Sequence, residues 1–215
     1  MPLSDRDYMQ RSPPRRESGR RYSGPRGNNL NPIWVIIGLN LIVLIIANVS
    51  DDAVLRLGLY PDLFWSRPWT IITAMFTHVD IWHFIFNMLT LFFFGRFLIM
   101  LVGQNWFLLV YFIGGIVGNI LFLTLESLVG DPLIILIAIG ASGAIYAIAG
   151  ALVVMVPNIR VALWGIIPMP LWVAILVVGV ILSFLPGVAW QAHLGGLAVG
   201  LITGYYFRRK RLAIY

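Results

Sequence analysis

The stretch Gly140-Ala141-Ser142-Gly143 begins an apolar segment in which small residues recur every four positions. After Gly143 they are Ala147 and Ala151, and a second stripe of this kind occurs later in the chain. The second stripe consists of Ala192, Gly196, Gly200 and Gly204. Small residues at this spacing let two membrane helices approach each other closely. The two stripes therefore predict a tightly packed helix pair at the centre of the fold.

The composition indicates a membrane protein. Of the 215 residues, 60% are hydrophobic and 11% are charged, whereas a soluble domain averages about 25% charged residues. The chain contains no cysteine, which excludes disulfides, thiolate catalysis and cysteine-ligated metals. We predict an all-α integral membrane protein.

Six apolar segments predict six transmembrane helices, because a spanning helix needs about twenty apolar residues. The segments cover residues 33–49, 82–101, 106–125, 142–156, 166–185 and 189–207. Both termini of this six-helix bundle are expected in the cytoplasm. The predicted parts of the chain are a disordered basic tail (1–30), the six-helix domain (31–207) and a short basic tail (208–215).

The distribution of positive charge supports this topology. Seven arginines precede the first segment, and a basic cluster at residues 208–211 follows the last. With six crossings, 13 of the 15 Lys and Arg residues lie inside, and the two exceptions are Arg56 and Arg67. Such a bias is typical of membrane protein orientation. We interpret the basic clusters as anchors beside anionic lipid and not as a nucleic-acid site.

Ser142 and His193 are the candidate catalytic pair, since a hydroxyl beside an imidazole supplies a nucleophile and its base. Gly140 and Gly143 permit a tight turn at Ser142, where the free N–H groups of a helix start stabilise an oxyanion. Tyr146, one turn further along, is expected to pack against the imidazole. The alternatives are a purely structural packing patch and a histidine bonded to a carbonyl group.

A second polar set surrounds the start of the second predicted helix. His83 and Asn87 share a face at a spacing of four, and both can donate hydrogen bonds to an oxyanion. With Thr73, Thr77 and His78 they would give a water-filled cavity its polar walls. Three histidines could also ligate zinc, but no carboxylate or cysteine stands at helical spacing, so no metal or other cofactor is expected.

Three motifs resemble those of the rhomboid family of intramembrane serine proteases. They are Gly-x-Ser-Gly at the fourth helix, His-x4-His-x3-Asn at the second and Ala-His-x2-Gly-x3-Gly at the sixth. They occur in the family's order, over about residues 69–204. No acidic residue in the apolar segments could orient His193, so the site is interpreted as a Ser–His dyad in which packing replaces the carboxylate.

The resemblance implies a role for each matching residue. Ser142 would be the nucleophile and His193 the base and acid. The oxyanion donors would be His83, Asn87 and the Ser142 amide, while Tyr146 supports His193. His78 matches a histidine that lies nearer the water-facing rim. The sequence departs from the family where Trp69-Thr70 replaces Trp-Arg and where Ile99 replaces a Glu four residues after Gly95.

The expected function is hydrolysis of peptide bonds in or near transmembrane segments of membrane-protein substrates. The expected location is a prokaryotic cell membrane, with the active site open to the extracytoplasmic side and substrate entering from lipid past the second and fifth helices. One alternative is a non-catalytic rhomboid-like protein that binds membrane clients. The other is a small transporter, although many transporters contain an inverted repeat, and none is seen here.

Overall fold

The computed structural model describes residues 31–50, 52–129, 136–163 and 166–212. The predicted basic tail over residues 1–30 lies outside these ranges. So do residues 130–135 of the connection before Ser142 and residues 213–215 of the second predicted tail.

Helices make up most of the described chain. In order they are α1 (Pro32–Val49), α2 (Ala53–Leu57), α3 (Thr70–Thr73), α4 (Ile81–Val102), α5 (Gln104–Val129), α6 (Ser142–Met155), α7 (Val180–Ser183) and α8 (Trp190–Leu212). Two short 3-10 helices cover Pro61–Ser66 and Ala74–Phe76. A π-helical segment, Val173–Gly179, leads directly into α7. The strands β1 (Arg160–Leu163) and β2 (Ile167–Pro170) form an antiparallel hairpin after α6.

Among the described residues, α1, α4 and α5 are long and apolar enough to cross a membrane. The helix α6 and the helical run Val173–Ser183 are apolar but shorter. The helices present large apolar side chains outward, and Trp34, Phe93 and Ile202 are each more than half exposed. Such side chains are stable against lipid and costly in water, so the chain is an integral membrane protein.

The fifth predicted helix differs from the structure at its beginning. The prediction placed a helix over residues 166–185, but residues 167–170 form β2 and the helix follows Pro170. Pro168 and Pro170 explain the difference, because proline provides no N–H group and disfavours a helical conformation in the residue before it. The third and sixth helices are longer than predicted, and end at Val129 and Leu212.

The helices α6 and α8 make the most extensive contact of any pair of elements, and α5 packs against both. Glycines on α8 face backbone carbonyl groups of α6 so closely that a β-carbon would overlap them. The facing pairs are Gly196 with Gly143, Gly200 with Ala147 and Gly204 with Ala151. The two small-residue stripes are therefore in backbone-to-backbone contact, which fixes the distance between the two helix starts.

The segment between α1 and α4 is tied to the turn before α6. Leu59 and Ala138 form an isolated antiparallel bridge, with N–H···O distances of 3.1 and 3.0 Å. Two residues later, Gly140 N donates to the carbonyl oxygen of Ala74 at 2.9 Å. In the same segment, Arg67 donates to the Leu55 carbonyl oxygen. The Leu59–Ala138 bridge and the Gly140 bond hold the backbone that leads to Ser142.

Candidate active site

Ser142 and His193 are in direct contact. Ser142 is the first residue of α6, and His193 lies in the first turn of α8. Ser142 Oγ is 2.7 Å from His193 Nε2, a short distance for a hydrogen bond between a hydroxyl and a ring nitrogen. Both residues are partly buried. The pair has the geometry that a nucleophile and its general base require.

The position of Ser142 follows from the glycine that precedes it by two residues. Gly140 has φ +105°, a left-handed conformation in which a side chain is strained. A β-carbon there would also be 2.7 Å from His83 Nε2. The first backbone hydrogen bond of α6 runs from Ile145 N to Ala141 O at 3.0 Å. The amides of Ser142 and Gly143 therefore have no acceptor within the helix.

Tyr146 lies on the face of α6 that carries Ser142 and stacks on His193. The two ring centroids are 4.4 Å apart and the rings are inclined by 14°. The Tyr146 hydroxyl donates to the carbonyl oxygen of Gly179 at 2.6 Å. This hydrogen bond fixes one end of the tyrosine ring, so the imidazole rests on a surface that is itself held in place.

Ser183 is a site residue that the sequence reasoning missed. It is the last residue of α7 and is 1% exposed. Its Oγ lies 2.9 Å from His193 Nδ1, 2.9 Å from the carbonyl oxygen of Gly179 and 3.0 Å from the hydroxyl of Tyr146. In the sequence, the available signal is a single hydroxyl in a run of Val, Ile and Leu, ten positions before the histidine. Nothing in that spacing shows that the helix end folds back onto α8.

His83 reaches the site from the first turn of α4. Asp80 caps this helix, because its Oδ1 accepts from Trp82 N at 2.8 Å and from His83 N at 2.9 Å. This arrangement satisfies two of the free N–H groups at the helix start. The His83 ring lies against Gly140, on the same side as Ser142 Oγ. The position suits a donor to an oxyanion formed beside Ser142.

Asn87, one turn further along α4, is buried and lines the same cavity. Its Nδ2 donates to the carbonyl oxygen of His83 at 2.8 Å. A side-chain amide nitrogen carries two protons, so one proton remains after this bond. Asn87 therefore has one donor that the helix itself does not use.

His78, which the resemblance places nearer the water-facing rim, is a buried residue in the structure. It is 1% exposed, and its ring meets those of His83 and Phe84 edge to face, with centroids 4.9 and 5.6 Å away. Burial, and secondarily the nearby His83, lowers the pKa of His78 to about 4, so the ring is neutral near pH 7. The His78 ring packs against the His83 ring and does not line the cavity.

The cavity next to Ser142 has a volume of about 410 Å³. Among the five residues predicted to form its polar walls, His83 and Asn87 do so, whereas Thr73, Thr77 and His78 do not. The two threonine hydroxyls instead donate to the carbonyl oxygens of Leu57 and Thr73, because both threonines lie in the packed segment before α4. The rest of the lining mixes polar side chains such as Asp80 and Asn119 with apolar ones such as Met75 and Leu182. Within the described ranges, no group of three or more His, Asp or Glu side chains could hold a metal ion.

These features define a helical membrane protein with a serine–histidine pair at the start of two packed helices. Residues 66–210 match the profile of the Rhomboid domain. The chain is 30% identical over 156 residues to the mitochondrial Rhomboid protein 1 of Saccharomyces cerevisiae, covering 65% of this chain and 42% of the yeast protein. It is 33% identical over 144 residues to a Bacillus subtilis protein named as a candidate rhomboid protease, covering 66% of this chain and 69% of the bacterial protein. The mitochondrial RHOMBOID-like protein 12 of Arabidopsis thaliana is 31% identical to it over 163 residues, covering 68% of this chain and 48% of the plant protein.

The chain belongs to the rhomboid family, and the resemblance predicted from its three motifs is confirmed. The chain spans less than half the length of the yeast and plant relatives, and about two thirds of the bacterial one.

Proposed function

We propose that this chain is an intramembrane serine endopeptidase that hydrolyses peptide bonds in or near transmembrane segments of other membrane proteins. The observation that carries the proposal is the 2.7 Å contact between Ser142 Oγ and His193 Nε2 at the wall of a 410 Å³ cavity. Family membership supports it, since the matched bacterial relative is named as a candidate protease.

The first half of the reaction forms an acyl-enzyme. His193 Nε2 accepts the hydroxyl proton of Ser142 while Oγ bonds to the carbonyl carbon of the substrate. The carbonyl oxygen becomes an oxyanion, for which the Ser142 amide, His83 and Asn87 are the candidate donors. Collapse of this intermediate breaks the C–N bond, and the proton on Nε2 passes to the leaving amine.

The second half uses water from the cavity. His193 removes a proton from the water molecule as its oxygen bonds to the acyl carbon. The ester bond to Ser142 Oγ then breaks, Oγ recovers a proton from Nε2, and the new carboxylic acid leaves. The enzyme returns to its initial protonation state. Ser142 and His193 carry out both halves of the reaction and therefore act as a catalytic dyad.

Six crossings with both termini in the cytoplasm account best for the charge distribution. The ends of α6 and α8 that carry Ser142 and His193 would then open to the extracytoplasmic side, which supplies the water. A prokaryotic cell membrane stays a prediction, because one matched relative is bacterial whereas the yeast and Arabidopsis relatives carry mitochondrial names. Anionic lipid would contact the basic residues that end α8.

The substrate must unwind locally before it can react. A helical carbonyl group is already bonded to an N–H group four residues away, so the scissile bond must lie in a segment that leaves the helix easily. Glycine and other poor helix formers near the outer end of a substrate span would favour this. Entry from lipid past α4 and the helical run Val173–Ser183 is consistent with where the cavity lies.

The test combines covalent labelling with cleavage. A fluorophosphonate probe should label the purified protein at Ser142, through attack of Oγ on phosphorus with loss of fluoride, and mass spectrometry should locate one cut in a single-span substrate. In Ser142→Ala and His193→Ala, kcat should fall by about a million-fold while the helical circular dichroism is retained. A purified Ser142→Ala protein with full activity would disprove the proposal. A wild-type protein that binds the substrate span without labelling or cleavage would favour the client-binding alternative.

A further inference from the structure

Ser183 occupies the position that an orienting carboxylate holds in a catalytic triad. It contacts His193 Nδ1, the ring nitrogen that faces away from Ser142, at 2.9 Å. The contact is shielded from solvent, because Ser183 is 1% exposed. The apolar segments offer no acidic side chain for this position. An ionised carboxylate buried at this depth in a membrane would also be costly.

The hydrogen bonds around Ser183 fit one arrangement of protons best. Tyr146 and Ser183 can both donate to the carbonyl oxygen of Gly179, because a carbonyl oxygen has two lone pairs. The Ser183 oxygen is then free to accept a proton from His193 Nδ1. With Nδ1 protonated, Nε2 has a free lone pair and accepts from Ser142.

The opposite arrangement forms fewer hydrogen bonds. If Ser183 donated its proton to Nδ1, the Gly179 carbonyl would lose one of its two donors. The proton of the neutral imidazole would then lie on Nε2, where it blocks removal of the proton from Ser142. The network thus favours the tautomer in which His193 can act as a base.

We infer that Ser183 is a positioning residue that holds His193 in its reactive tautomer. It does so within a hydrogen-bond network that includes the Tyr146 hydroxyl and the Gly179 carbonyl oxygen. The inference rests on the proposed function. It makes the neutral hydroxyl of Ser183 the acceptor for the Nδ1 proton of His193, where a catalytic triad has a carboxylate. Ser183 takes no proton during the reaction. When His193 becomes doubly protonated, Nδ1 keeps its proton and continues to donate it to Ser183 Oγ.

The kinetic test compares two serine-to-alanine changes. In Ser183→Ala, kcat should fall about 10- to 100-fold, by analogy with the loss of a hydrogen-bond partner that orients a metal-bound histidine, while KM is unchanged. The rate of fluorophosphonate labelling at Ser142 should fall by the same factor. The matched control is Ser127→Ala, because Ser127 Oγ also donates to the carbonyl oxygen four residues earlier, at Leu123, but lies away from the site. Its kcat should equal that of the wild type.

Two further variants distinguish positioning from general support of the fold. Ser183→Thr retains the hydroxyl group and should restore most of kcat. Tyr146→Phe keeps the ring that stacks on His193 but removes the hydroxyl that donates to Gly179. Because the two hydroxyls belong to one network, the losses in Ser183→Ala and Tyr146→Phe should be less than additive in the double variant.

The tautomer can be observed directly, since the chain has three histidines. In ¹⁵N-histidine-labelled wild-type protein, assigned by a His193→Gln variant, NMR should show His193 protonated at Nδ1 and unprotonated at Nε2. A proton on Nε2 would overturn the inference, as would a Ser183→Ala kcat equal to that of Ser127→Ala. The NMR result decides the question even if Ser183→Ala does not fold. Failure of the wild type to label or cleave would instead reject the proposed function.

Discussion

At the scale of single residues, Gly140 combines two requirements that can be tested separately. Its φ of +105° makes any side chain strained, and a β-carbon would meet the His83 ring at 2.7 Å. Gly103 at the end of α4 has φ +89°, but a β-carbon added there would have no atom within 4 Å. The two glycines therefore share backbone strain and differ in what lies beside them.

We predict that Gly140→Ala lowers kcat by at least about 100-fold, because displacing His83 removes an oxyanion donor. Gly103→Ala should keep the wild-type kcat while losing about 1–3 kcal/mol of stability, because its φ and ψ lie in a region that only glycine adopts readily. The measurements are cleavage rates per folded molecule and thermal unfolding in detergent. Equal activity in the two variants would show that His83 does not need its present position.

The residues of the site were predictable to different degrees. Ser142 and His193 were found because their glycine neighbours and spacing are visible in the sequence. Ser183 was not found, because its role depends on how the short turn after α7 returns the chain to α8. The burial of His78 was also missed, since its position relative to His83 depends on the backbone between Thr77 and Ile81.

At the scale of helices, the contact between α6 and α8 determines the distance between Ser142 and His193. The carbonyl oxygen of Ala147 lies where a β-carbon of Gly200 would stand. A methyl group there would push the two helices apart, and the displacement would reach Ser142 and His193 because both lie on these helices. Gly38 in α1 provides a contrast, since a β-carbon there would have open space around it.

We predict that Gly200→Ala costs about 1–3 kcal/mol of stability through overpacking and reduces kcat at least tenfold, the effect of misplacing reacting groups. The matched change Gly38→Ala should leave kcat unchanged and slightly raise stability, because alanine is the better helix former. Thermal unfolding and cleavage rates of both variants are the measurements. A kcat loss in Gly38→Ala as large as that in Gly200→Ala would contradict this account.

The first and last residues of a helix were predicted well where the length of the apolar segment alone determines them. The bounds of α1, α4 and α6 agree with the predicted segments to within one residue. The start of the fifth segment was wrong, because apolar content masked the effect of Pro168 and Pro170. The Leu59–Ala138 bridge could not be predicted, since it pairs single residues far apart in the chain.

At the scale of the whole molecule, the number of crossings can be tested with cysteine labelling, because the chain has no cysteine of its own. Ser66 and Pro186 are exposed in segments that six crossings place outside. Asn105 and Asn158 are exposed in segments that six crossings place inside. A single cysteine at any of these positions would be the only thiol in the protein.

We predict that a membrane-impermeant maleimide labels Ser66→Cys and Pro186→Cys in intact cells. Asn105→Cys and Asn158→Cys should be labelled only after the membrane is permeabilised. The positive-inside distribution is the physical reason. Labelling of Asn158→Cys from outside would contradict six crossings, and labelling of each protein in detergent controls for access to the thiol.

The position of His193 on α8 has a consequence for biosynthesis. A ribosome completes the segment containing Ser142 well before it completes α8, so the growing chain carries a hydroxyl with no base beside it. Ser142 meets His193 only when α8, the last described helix, enters the lipid and packs against α6. If the proposed function holds, a chain that still lacks α8 would therefore be unable to cleave the nascent proteins that share its insertion machinery.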